Sequence, residues 1–357
     1  MNEAKKLHYE SNQLQELMCV DNRPHAKNIF VMMEELMKNY DVTALGELLI
    51  DFTENGASGQ GNPMFEANPG GAPCNVLAML TKLGHKTAFI GKVGNDFFGK
   101  QLKDTLDEVG IKSDYLKMDD EIHTTLALVH TYPDGDRDFS FYRNPGADMM
   151  LTEEEVPEAL VQDSKIFHYG TLSMTHEGVR SATKKAIKIA EEAGAILSFD
   201  PNLRPPLWNS LDDAKEQIIY GLDHCQILKI SDNEIQWLTG EEDFTAGVNW
   251  IRSRYNIKLI LVSMGKAGSR AYYGDMMVEA APFLQENTIE TTGAGDTFGG
   301  CILHYVAEHG LEGLTEENLT DMLTFANGAA SLITTKKGAL RVMPAKEEVE
   351  ALIQSGK

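Results

Sequence analysis

From Val42 onward, short apolar runs alternate with stretches whose apolar positions recur at helical spacing, and this alternation restricts the fold more than anything else in the chain. Strands are expected over 42–50, 87–90, 165–169, 195–199, 226–230 and 257–262, and helices over 72–83, 97–109, 177–193, 211–221 and 243–255. Within 177–193, Val179, Ala182, Ala186, Ile189, Ala190 and Ala193 share one face. Strands that are apolar throughout, with a helix between each pair, belong in a parallel sheet covered on both sides. The expected fold class is therefore α/β, with a doubly wound, mostly parallel central sheet flanked by helices. Segments near 46–70 and 114–143 do not fit that sheet. They include short strands at 114–118, 124–131 and 137–143, the last two joined by the turn Pro133-Asp134-Gly135-Asp136, and they read as a small β lid.

The first 40 residues differ from the rest. They are polar, with helix-like stretches over 3–19 and 26–39 separated by Asp21-Asn22-Arg23-Pro24. The expected organisation is a helical extension over 1–40 followed by one domain over 41–357, long enough to bury a large core.

A formal net charge of −22 argues against nucleic acid or an anionic membrane as partner, since both call for a basic surface. It does not argue against ATP, which needs only local positive charge. Cys19, Cys74, Cys225 and Cys301 lie far apart without metal-ligand spacing and read as inert thiols in a reducing compartment. The start, Met-Asn-Glu-Ala-Lys-Lys, lacks the apolar run of a signal peptide, and a soluble, cytoplasmic protein is expected.

The chemistry concentrates at residues 291–298, Thr-Thr-Gly-Ala-Gly-Asp-Thr-Phe. Small residues Gly293, Ala294 and Gly295 precede Asp296 and an apolar run, which describes a turn feeding a buried helix. Free amides at a helix start, with the positive end of its dipole, form an anion site. Asp296 there has two readings, a helix cap or a general base beside the anion being transferred. In a doubly wound sheet ligands bind beyond the carboxyl ends of strands, and turns at 46–51, 69–75, 200–204, 231–234, 263–268 and 293–296 all fall at such ends. No GxxxxGK[ST] loop is present, Phe298 occupies the third glycine position of a dinucleotide fingerprint, and protein-kinase signatures are absent.

Three stretches sharpen the reading: Pro69-Gly70-Gly71-Ala72-Pro73-Cys74-Asn75, Gly91-Lys92-Val93-Gly94-Asn95-Asp96-Phe97-Phe98-Gly99, and Thr291 through Asp296. They resemble the two signature regions of the ribokinase-like (pfkB) carbohydrate kinases. Residues 46–52, 141–149, 166–170 and 200–208 are similar to the fructokinase branch in particular, and the likeness runs over roughly 42–350. It implies ATP-dependent phosphorylation of the 6-hydroxyl of fructose, with Asp296 as general base and the amides of residues 293–296 holding the phosphoryl oxygens. A kinase for 2-keto-3-deoxygluconate, ribose or an aminoimidazole riboside stands as the alternative, and an inactive sugar- or nucleotide-binding regulator as the reading from another class.

By family position Asp51, Gly71, Ala72, Asn75, Arg143 and Arg204 face the sugar. Ala72 stands where ribose kinases carry Lys. The loop Ser263-Met264-Gly265-Lys266-Ala267-Gly268, together with Lys229 and Asn327, would hold ATP. Glu234 would orient Mg²⁺ through water, and loops near Glu290, Thr292, Ile333 and Gly338 would be the place for K⁺. The resemblance also implies a homodimer formed through the lid.

Overall fold

The computed structural model describes residues 38–131 and 137–356, the side chains of 130–139 excepted. The expected helices of the first 37 residues and the turn at 133–136 lie outside the described residues. Every described strand and helix belongs to the unit Tyr40–Lys357.

Thirteen strands form two sheets among the described residues. In chain order they are β1 (Tyr40–Leu45), β2 (Leu49–Ala57), β3 (Pro63–Gly70), β4 (Thr87–Gly94), β5 (Leu116–Asp119), β6 (Leu126–Thr131), β7 (Arg137–Tyr142), β8 (Ser164–Gly170), β9 (Ile196–Asp200), β10 (Ile227–Ser231), β11 (Leu259–Ser263), β12 (Ser269–Tyr273) and β13 (Met276–Ala280). The large sheet runs β13-β12-β11-β10-β9-β8-β1-β4-β5, and the small one β3-β2-β6-β7. In the large sheet β1 lies between β4 and β8, parallel to both. Only the β11-β12-β13 edge is antiparallel.

The two-residue period of the strands divides the interior into two cores. Val42, Ala44, Ile166, Ile227 and Leu259 point to one face, where they meet helices Ala72–Lys82, Ala294–His309 and Glu316–Ile333. Leu45, Phe167, Phe199, Leu228 and Ile260 point to the other, against Glu177–Glu192 and Leu211–His224. The expected doubly wound sheet is what forms. No described helix is long and apolar enough to cross a membrane.

Three expectations need correction. The run 42–50 is not one strand. The chain turns at 46–48 and passes from β1 in the large sheet to β2 in the small one. Gly46 allows the turn to pack tightly, since a Cβ there would stand 2.5 Å from the Pro73 ring. Nor does 114–118 belong to the lid. It forms the edge strand β5, parallel to β4, because helix Phe97–Val109 supplies the crossover that a parallel neighbour requires. Third, β12 and β13 have no counterpart among the strands expected from sequence.

Candidate active site

Two cavities open beyond the carboxyl ends of the central strands. The first, of about 270 Å³, is lined largely by polar groups. The second, of about 530 Å³, is mostly apolar. Thr291 and Gly295 form part of both walls.

That shared wall is the start of helix Ala294–His309. Gly293 caps it at φ 74°, a left-handed conformation that glycine adopts without strain, and a Cβ there would also approach Ala339 at 3.0 Å. Asp296 follows in the first turn, and its Oδ2 accepts a hydrogen bond from Asn75 Nδ2 at 2.8 Å. The Oδ1 atom of Asn75 is buried with no hydrogen-bond partner among the described residues. Asn75 is set in place by the start of helix Ala72–Lys82. There Gly71 has φ 129°, and a Cβ would lie 2.4 Å from the Glu47 carbonyl. The Ala72 amide donates to Glu47 Oε1 at 2.8 Å.

The electrostatics favour an anion at the shared wall. Lys229 pairs with Asp200 at 2.9 Å, with side chains 13 % and 7 % exposed. Burial opposes its charge, yet Asp200, Glu234 and Asp296 outweigh that and raise its pKa. Its Nζ would lie 3.1 Å from a Cβ on Gly295, so the ammonium sits over the helix start and would have to shift to admit a larger residue. Burial raises the Asp296 carboxyl above its ordinary value; Asn75 opposes this, Asp200 adds to it, and Lys229 and Arg204 oppose it.

The sequence-derived sugar residues Asp51, Gly71, Ala72, Asn75 and Arg204 all line the first cavity. Asp51 lies on β2, and its Oδ2 occupies the space that a Cβ on Gly70 would need, at 2.2 Å. Arg143 is placed differently and needs correction. Its guanidinium is spent inside the protein, on Asp148 at 2.7 Å, Thr175 Oγ1 at 2.8 Å and the Leu172 carbonyl at 3.0 Å. Both side chains of the Arg143–Asp148 pair are buried, at 2 % and 1 % exposed, and Arg143 lines neither cavity. A buried guanidinium needs a full set of acceptors, and this one already has them.

The expected nucleotide residues Ser263, Gly265, Lys266, Gly268 and Asn327 line the second cavity. Gly268 brings the β11–β12 turn against the Ala280 carbonyl, where a Cβ would clash at 2.2 Å. The Asn327 amide is engaged within the protein. It accepts from Ser269 Oγ and donates to the carbonyls of Ala280 and Ala281, tying its helix to the hairpin. Lys229 lines the polar cavity rather than the apolar one, correcting its grouping with the nucleotide loop.

Glu234 also lines the polar cavity, with its carboxylate accepting from the Leu203 amide and from Ser231 N and Oγ. Three of its roughly four lone-pair positions are used, which suits contact with a cation through water better than direct ligation. Glu290 lines neither cavity. Its Oε1 accepts from the Gly338 amide at 2.6 Å, drawing together the loops at 290 and 338, while Thr292 lines the polar cavity.

Among the lining residues to which sequence reasoning gave no role, two polar ones stand out in the first cavity. Asn202 holds φ 43° in the turn after β9, and its amide donates to Asp200 Oδ1. Glu47 is 4 % exposed, and burial pushes its carboxyl up to about 7. The unfolded group titrates near 4.5, so folding takes up a proton between those values. The stability this confers is complete below pH 4.5 and lost as pH rises through 7, by roughly 3 kcal/mol. Glu47→Gln keeps an acceptor for the Ala72 amide and should flatten the dependence of denaturation midpoint on pH between about 4.5 and 7. An unchanged slope would contradict the assignment. His168, also near the cavity, is buried and hydrogen-bonded to Ser198 Oγ at 3.0 Å, a satisfied interior histidine.

The profile of the pfkB family carbohydrate kinases matches residues 39–346. "Probable fructokinase-2" of Arabidopsis thaliana is 42% identical over 308 residues, covering 85% of this chain and 92% of its own. Among solved structures, the Xylella fastidiosa fructokinase with bound ATP superposes with TM-score 0.81 at 30% identity, over 89% of this chain and 99% of that one. A double mutant of the Vibrio cholerae fructokinase, solved with fructose, ADP and potassium ion, gives TM-score 0.79 at 27% identity, over 88% and 99%. The ribokinase-like architecture is common to these chains.

Proposed function

This chain belongs to the pfkB family of carbohydrate kinases, and from that premise we propose that it transfers the terminal phosphoryl group of ATP to the 6-hydroxyl of fructose. The observation that supports this most directly is the wall shared by the two cavities. A nucleotide in the apolar cavity and a sugar in the polar one would meet at Gly295, with Asp296 on the sugar side.

In this reading Asp296 takes the proton of the attacking hydroxyl as the new O–P bond forms and the bond to the ADP oxygen breaks; the products are fructose 6-phosphate, ADP and the proton held on Asp296. The amides of Ala294, Gly295 and Asp296, with Lys229, stabilise the charge of the transferring group. Asn75 orients Asp296 and, with Asp51 and Arg204, binds the substrate. Mg²⁺ bound to ATP would neutralise phosphate charge, and Glu234 would hold it through water. The lid of β2, β3, β6 and β7 would exclude water from the reaction.

Fructose is favoured over other sugars by the fructokinase relatives and by Ala72, which lacks the amine of the ribose kinases. In an ADP-release assay fructose should exceed ribose, 2-keto-3-deoxygluconate and an aminoimidazole riboside in kcat/KM by about tenfold or more. A better value for any of the others would overturn the substrate. In the same assay replacing K⁺ by a bulky organic cation should lower turnover; equal rates would remove the K⁺ site from the proposal. The homodimer draws support from Tyr142, 63% exposed on the lid face opposite the cavity-lining Phe141. Light scattering that gave a monomer mass would exclude it.

A further inference from the structure

One more group of side chains is arranged for chemistry, and it lies away from both cavities. His85 sits in the connection between helix Ala72–Lys82 and β4, while His304 and Glu308 stand four residues apart on helix Ala294–His309. One ligand atom from each falls within 4.8 Å of the others. His85 Nε2 faces His304 Nδ1 at 2.6 Å, and Glu308 Oε1 lies 3.9 Å from His85 Nε2.

We propose that His85, His304 and Glu308 bind a single divalent transition-metal ion of the zinc type. Spacing of i,i+4 on one helix places two ligands on the same face, and a pair of imidazoles with a carboxylate suits a borderline-soft ion. Ligand atoms about 2.0–2.1 Å from a tetrahedral ion stand roughly 3.3 Å apart. The two nitrogens are closer than this and the carboxylate is farther, and Glu308, 56% exposed, has freedom to turn inward.

An independent feature supports the assignment. Asp41 Oδ2 lies 3.5 Å from His85 Nδ1, the nitrogen that points away from the group. Asp41 is itself held by Lys165 Nζ at 2.8 Å and the Lys86 amide at 2.9 Å. A carboxylate behind a histidine fixes the tautomer that turns the Nε2 lone pair toward the group, the arrangement found behind metal-bound histidines. That lone pair accepts from His304 Nδ1, whose proton shifts to its own Nε2 when both nitrogens ligate. The exposed Glu308 side leaves an entry path and a position for solvent. Along the helix His304 is about 12 Å from Asp296, so an ion here would tie the far part of the helix to the β4 connection without entering the reaction site.

Zinc binding to the full chain can be measured by competition with a zinc-selective chromophoric chelator, and stability by thermal unfolding with and without zinc. The parent protein should take up one more zinc ion, and unfold at higher temperature with zinc present, than His304→Gln or Glu308→Gln, whose affinity should fall about tenfold or more. Kinase activity of both variants should match the parent. The proposal is overturned if the parent takes up no zinc, or if both variants bind it with unchanged stoichiometry and affinity. Should His304→Gln fail to fold, Glu308→Gln decides alone, because its exposed side chain can be changed without touching the core.

Discussion

Asp296→Asn should leave the fold and sugar affinity near those of the parent and reduce kcat by about 10³-fold or more, the order expected when a positioned base is lost. Asparagine has nearly the shape of aspartate, so the helix start and the contact with Asn75 survive while the proton acceptor is gone. The structure adds a second readout. Burial raises the Asp296 carboxyl above its ordinary value, so the parent's kcat/KM should fall on the acid side at a higher pH than an exposed carboxylate would give. In the proposed mechanism the ionised form is the active one, and low pH removes it. The residual activity of Asp296→Asn should lack that acid limb. Near-parent turnover in the variant, or an identical acid limb, would reduce Asp296 to a structural partner of Asn75 at the helix start.

Lys229→Met should have the next largest effect, on stability as well as rate. Removing the ammonium leaves the Asp200 carboxylate, 7 % exposed, without its partner. Breaking a buried pair from one side costs about 3–5 kcal/mol. The companion variant Asp200→Asn in the same chain should recover most of that stability because it removes the stranded charge. It should not recover turnover, which is expected to stay about 10²-fold or more below the parent, since the positive charge over the anion site is still missing. Chemical denaturation and steady-state kinetics on the single and double variants separate the two roles. If the double variant regained rate along with stability, Lys229 would be a structural ion only.

The sequence disclosed the fold to different depths in different places. Helix Phe97–Val109 was read to the residue because Asp96 caps it, accepting from the Gly99 amide, and Gly110 closes it in a left-handed conformation. The break between β1 and β2 was half legible: Gly46 marks a turn at 46–51, yet Leu45, Leu48, Leu49 and Ile50 form a nearly continuous apolar series that reads as one strand. The β12–β13 hairpin escaped because Tyr272, Tyr273, Met276 and Met277 show no clear period two.

Within the site, residues whose place depends on main-chain geometry were legible. Gly71, Gly293 and Gly295 announce close approach and helix start by their type alone. Side chains whose function depends on partners were not. A sequence shows that Arg143 is charged but not that Asp148, Thr175 and the Leu172 carbonyl surround it. Glu47 was equally obscure, an acid inside an apolar run whose neighbours become known only when helix Ala72–Lys82 docks beside it.

Asp51 rides on β2, which leaves the central strand β1 after only three intervening residues. If Asp51 holds the sugar as proposed, the hand that grasps the substrate and the shutter that keeps solvent out are one piece of chain. A compound too short to reach Asp51 would fail to draw the shutter across, and the phosphoryl group would meet water instead of a hydroxyl. Discrimination would then show itself as nucleotide spent without sugar phosphate, not merely as a weak grip.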